Sequence, residues 1–159
     1  MNVANCIFWG FVATIVLTTL LAGSQGLGFT RMNVPFLLGT MVTANRDRAK
    51  LYGVGLHLVI GVLFAWIYMV AFQLWQGPTW WKGTIIGAAH AAFLLVCGLP
   101  LLPGMHPRMA TEQEGPTVMR QLEPPGFLGL HYGRRTPISV FVAHVIFGLI
   151  LGVFYAHAV

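Results

Sequence analysis

Apolar residues fill four long blocks of this chain, at about Ala4 to Ala22, Leu51 to Trp75, Gly83 to Leu102 and Ile138 to Ala158. Each block is close to the ~20 residues that an α-helix needs to cross a hydrocarbon layer about 30 Å thick. Lipid leaves no backbone amide or carbonyl unpaired, and no ten-residue alternation of barrel strands is visible. The pattern therefore predicts four membrane helices. Blocks two and three are joined by Gln76-Gly77-Pro78-Thr79, a tight turn flanked by Trp75, Trp80 and Trp81, with Lys82 placed to reach an interface past them.

Two blocks carry one pattern twice: His57, Gly61, Ala65 and Tyr68, then His144, Gly148, Gly152 and Tyr155. At 3.6 residues per turn these spacings put each set on one stripe of one helix face. A duplicated hairpin accounts for the match: one membrane domain over 1–159, with repeat one at about 4–75, repeat two at about 83–158 and an inner loop at 104–135. The expected fold class is all-α, an integral membrane four-helix bundle of two tandem helical hairpins. Small residues recur at fourth positions in Gly83, Gly87 and Ala91, in Gly148, Gly152 and Ala156, and in Gly53, Gly61 and Ala65. Thr14, Thr18 and Gly10 share a face of span one. Such ridges let helices approach closely, so Gly61, Gly83, Gly87, Gly148 and Gly152 are the expected packing positions.

Composition agrees: 57% of residues are hydrophobic and 8% charged, against about 25% charged in soluble domains. The charge is one-sided. Arg31, Arg46, Arg48 and Lys50 lie between spans one and two, and Arg108, Arg120, Arg134 and Arg135 between spans three and four; Lys82 alone falls elsewhere. By the positive-inside rule both long loops are cytoplasmic and both termini face outward, as in a multi-pass protein of a bacterial inner (plasma) membrane. Asp47, Glu112, Glu114 and Glu123 share the inner side. Topology and anionic headgroups account for the +5 net charge, so no nucleic-acid partner is expected. Met1 to Asn5 lacks Lys and Arg, which marks span one as retained rather than a cleaved leader. Cys6 and Cys97 are expected at different depths as inert buried thiols, without a disulfide.

The inner loops are partly apolar. Asn33 followed by Pro35 suits the start of a short helix lying on the inner headgroups. From Gly104 to Arg135, Pro107, Pro116, Pro124 and Pro125 discourage long helices, so this stretch is expected to be mobile or docked. Met105, Met109 and Met119 offer apolar contacts either to a partner or to the bundle.

The candidate chemistry lies in the histidines. Spans two and four run the same way, which sets His57 and His144 at one depth. Span three runs oppositely and is expected to carry His90 to an outer polar layer with Tyr68 and Tyr155. Haem b held by His57 and His144 is one reading, with Gly61 and Gly148 leaving room for the macrocycle; imidazoles bonded to carbonyls and hydroxyls without a cofactor are the other, and favoured, reading. No Asp, Glu, Lys or Arg lies inside a span, which disfavours ion transport, although Gly98-Leu99-Pro100 is a possible helix break. No phosphate loop, zinc helix or serine elbow is present, so no catalytic residue, metal site or enzyme activity is expected. His106 and His131 are isolated from other ligand types and suit solvated or packing roles, and His157 suits an interface.

Pro35-Phe36-Leu37-Leu38-Gly39 followed by His57-x-x-x-Gly61-x-x-x-Ala65-x-x-Tyr68, recurring at His144, resembles a group of small four-span bacterial inner-membrane proteins of undefined function. The likeness covers most of the chain outside Gly104 to Gln121. It implies a fold and a membrane, with no substrate. The expected role is a structural or accessory subunit of a larger membrane complex, with a bis-histidine haem bundle or a small-solute transporter as alternatives.

Overall fold

The computed structural model describes residues 2–155; the expectations for Ala156 and His157 fall outside the described residues. Helices α1 (Val3–Gly26), α2 (Val34–Val42), α3 (Arg46–Leu74), α4 (Trp80–Phe93), α5 (Leu99–Met105) and α6 (Thr136–Phe154) follow in order, and a π-helical turn, Leu94–Gly98, fuses α4 to α5. No strand forms among the described residues; two isolated bridges occur within 109–122. Four helices are long and apolar enough to cross a membrane: α1, α3, the fused rod Trp80–Met105 and α6.

Local chemistry sets the helix starts. The Asn2 side chain accepts from the Asn5 amide, Asn33 from Phe36, Asn45 from Asp47 and Arg48, and Thr79 from Lys82. These bonds satisfy first-turn amides that have no intrahelical acceptor. The Asn45 cap explains why α3 begins before the apolar block does: Arg46 to Lys50 form a charged first turn. At the other end of α3, Gly77 takes φ +95° and its amide returns to the Phe72 carbonyl at 2.7 Å. Lys82 caps the same turn from below, its Nζ donating to the Trp75 and Gly77 carbonyls at 2.5 and 3.0 Å between the Trp75 and Trp81 rings.

Helix α1 packs against both α3 and α6, α6 packs against α4, and α2 lies along the start of α3. Glycines decide the approach. A Cβ on Gly148 would meet the Gly83 carbonyl and stand 3.0 Å from the Gly87 Cα, and one on Gly61 would overlap the Thr14 side chain. Gly39 presses on the Ala49 carbonyl and Gly53 on that of Pro35, which locks α2 onto α3. By contrast α3 touches α4 sparsely beyond their turn, so the bundle has one thin wall.

The segment between α5 and α6 is docked on the bundle itself. His106 and Met109 are fully buried, whereas Met105 and Met119 stay exposed. Arg31 ties its side chain to Glu123 at 3.1 Å and to the His131 carbonyl, while its amide reaches the Tyr132 carbonyl at 2.7 Å. Tyr132 donates to the Glu123 carbonyl at 2.5 Å, and burial with the Glu123 carboxylate close by raises its phenol above the ordinary range. The two cysteines are free; Cys6 is buried as expected, but Cys97, within the π turn, is exposed.

Candidate functional site: three imidazoles on one apolar cavity

Below the tight α4–α6 contact the four long helices enclose a cavity of about 200 Å³. Its walls come from every long helix: Leu17 and Leu21 of α1, Ile60 and Phe64 of α3, Leu94 and Gly98 of the π turn, and Val140 and Phe147 of α6. Leu37 of α2 and Leu102 of α5 close the inner end. His57, His90 and His144 supply nearly all of its polarity, together with Thr14. The thin wall lies between α3 and α4, and the π turn helps shape it: Pro100 has no N–H to give, and the Leu99 amide instead bonds the Leu94 carbonyl. The broken helix envisaged at Gly98-Leu99-Pro100 is thus a continuous rod with a widened turn.

Each imidazole is held differently. His144 Nδ1 lies 2.8 Å from the Val140 carbonyl, an oxygen that only accepts, so Nδ1 carries the proton. His57 Nδ1 lies 3.0 Å from Thr18 Oγ1, and that hydroxyl already gives its proton to the Thr14 carbonyl at 2.7 Å. Thr18 therefore accepts, and His57 also carries its proton on Nδ1. His90 stacks on Phe64 at 4.0 Å between centroids, meets the edge of the His144 ring at 4.7 Å, and pairs its Nδ1 with the Tyr68 hydroxyl at 3.2 Å. Among the described residues its buried Nε2 has no hydrogen-bond partner.

Two expected layers are thereby merged into one. His90 joins His144 because Gly87 packs on the His144 backbone and sets the next turn of α4 level with that ring, and it joins Tyr68 because side chains lean toward the N-terminus of their helix and α3 and α4 run oppositely. The Tyr68 side chain thus reaches inward and that of His90 outward until they meet. Tyr155 takes no part in this layer: its hydroxyl accepts from the Asn2 amide at 3.3 Å. The room expected beside Gly61 and Gly148 is filled by Thr14 and by Gly83 with Gly87. Among the described residues no three His, Cys, Asp or Glu side chains are grouped to hold a metal ion. Sequence reading named His90 only with the tyrosines and Thr18 only as a packing position, and it missed Phe64; the His90–His144 contact, the Thr18–His57 bond and the Phe64 stack all depend on hairpin register.

A second constellation lies at the end of the bundle that carries α2 and α5. His106 Nδ1 accepts from the Arg108 amide at 3.1 Å, which places the ring proton on Nε2 for the Leu37 carbonyl at 3.0 Å. Arg108 donates to the Thr40 carbonyl at 2.5 Å. Arg108 thus caps last-turn carbonyls of α2, where a helix end favours positive charge, and His106 bonds a carbonyl about one turn earlier. Burial lowers the His106 pKa, the Leu37 bond works against that shift, and the Arg108 charge adds to it.

No family model, curated protein or solved structure matches the chain.

Proposed function

We propose that this chain is a four-span bacterial inner-membrane protein, an accessory component that holds a small lipophilic molecule in the cavity between its helices. The single observation that carries the reading is the convergence of three imidazoles on an otherwise apolar cavity. Polar side chains inside a membrane bundle are costly and face the bundle interior or a functional site, and binding sites are mostly apolar concavities with a few polar groups that orient the ligand. All three rings present Nε2 atoms without a partner among the described residues, which pure packing does not call for. The tandem-hairpin reading supports the same picture. Gly10 faces Ala65 and Thr14 faces Gly61 in one hairpin, as Gly83 faces Gly152 and Gly87 faces Gly148 in the other. Continuing that register one turn puts Thr18 opposite His57 and Ala91 opposite His144, so the two copies differ where the hydroxyl for His57 arises.

The test is chemical. Organic extracts of detergent-purified protein are compared by mass spectrometry for the wild type and for Leu94→Trp, whose indole fills the cavity. A lipophile at near one per chain in the wild type, and lost from the variant, is the expected result; identical extracts contradict the proposal.

Attachment to a larger membrane complex is a second reading, and one surface favours it: Val118 and Met119 stand 89% and 80% exposed at the tip of the inner segment while Met109 beside them is fully buried. Met119→Cys carrying a short photo-crosslinker is expected to yield one discrete adduct in native membranes. A lack of any adduct removes this reading without touching the cavity.

A further inference from the structure

The geometry points to a phenol as the occupant: a single aromatic ring with a free hydroxyl at the imidazoles and any alkyl tail leaving through the thin wall between α3 and α4. This rests on the lipophile-binding reading and adds the chemistry of the ligand head. Size limits the ring count, because an apolar cavity of about 150 Å³ accepts benzene, and here about 200 Å³ is present. The ring has aromatic company in Phe64 and Phe147, which both line the cavity, and offset or edge-on stacking favours such contacts.

The hydrogen-bond pattern selects the polar group. With their protons committed to Val140 and Thr18, His144 and His57 leave bare Nε2 lone pairs that call for a proton from the ligand. Among the described residues the Tyr68 hydroxyl has no acceptor other than His90 Nδ1 at 3.2 Å; giving its proton there satisfies it and puts the His90 proton on Nε2, a buried atom without a partner. A hydroxyl answers both needs at once: it gives its proton to one imidazole Nε2 and accepts from His90. A ketone or quinone carbonyl accepts only and leaves both lone pairs unanswered. A hydrocarbon answers neither. Leaving a buried polar group unmade is what gives such a site its selectivity.

The experiment uses the full chain in phosphatidylcholine nanodiscs and three probes of one shape: 4-decylphenol, 4-decylanisole, which has no proton to give, and decylbenzene. Calorimetric titration is expected to show 4-decylphenol binding one per chain and at least tenfold tighter than either analogue. His144→Phe should abolish that preference while decylbenzene binding stays within threefold. Thr18→Val, which leaves every ring in place but frees the His57 proton to move to Nε2, should weaken 4-decylphenol several-fold. Equal binding of all three probes by the wild type overturns the phenol assignment and leaves the lipophile site standing. Binding of none overturns both, and neither outcome depends on whether a variant folds.

Discussion

His106 shows how one side chain can hold two distant parts of the chain together. Its ring joins the segment after α5 to the end of α2 through the Leu37 carbonyl and the Arg108 amide. Truncation to Ala leaves the Arg108 amide without its acceptor, while the Leu37 carbonyl keeps the Thr40 hydroxyl as a donor; the cost is about 1–3 kcal/mol. The pH dependence follows from its lowered pKa. In the unfolded chain the ring takes its proton near pH ~6.5; in the fold it does so only at lower pH. The contribution of His106 is therefore complete above that value and declines as pH falls from neutral toward 5, where the unfolded state binds more protons. Protection factors across α2, taken from amide exchange at pH 7.5 and pH 5.5 after division by the base-catalysed intrinsic rates, should fall at the lower pH in the wild type. In His106→Gln the difference should shrink. An identical pH response in both proteins assigns the effect elsewhere.

At the scale of helices, contact depends on positions without a side chain. Gly148→Ala places a methyl group against the Gly83 carbonyl and should destabilise the α4–α6 pair by about 1–3 kcal/mol, the usual cost of overpacking. Gly55 on α3 has open space where a Cβ would go, so Gly55→Ala should be neutral or stabilising by up to about 1 kcal/mol from helix propensity. Denaturation in mixed detergent micelles separates the two. Equal stability of both variants removes the close-packing account. The four long helices were legible because twenty-residue apolar blocks carry their own signal, and α2 because Asn33 and Pro35 mark its start. The π turn was not: Pro100 near the end of an apolar block reads as an exit from the helix, and only the geometry of the following turn shows the helix passing through it. The gathering of His90 with His144 was hidden because it depends on the α4–α6 register, fixed where Gly87 meets the His144 backbone, and neither helix's own sequence states that register.

At the scale of the whole molecule, basic residues cluster at the end that carries α2, α5 and the α5–α6 segment, and Lys82 stands alone at the other. On the proposed orientation, cysteines introduced at Gln76 and Glu114 into a Cys6→Ala, Cys97→Ala background should react with an impermeant maleimide from opposite sides. In intact cells Gln76→Cys is labelled, and Glu114→Cys only after lysis. The reverse pattern inverts the topology, and labelling of both sites in intact cells contradicts four crossings. Composition made four helices of membrane-spanning length and apolarity readable from the sequence alone. The cavity was not, because it comes from the weak α3–α4 contact, a property of how pairs of helices are arranged and not of any one segment.

The central claim is that His57 and His144 present bare Nε2 atoms to a shared cavity, and nitrogen-15 spectroscopy of histidine-labelled protein in lipid bilayers reads this directly. The signals that disappear in His57→Phe and in His144→Phe should each belong to a ring protonated at Nδ1 alone, opposite to His106, whose proton is on Nε2. Rings at 57 and 144 that carry their proton on Nε2 would contradict the account.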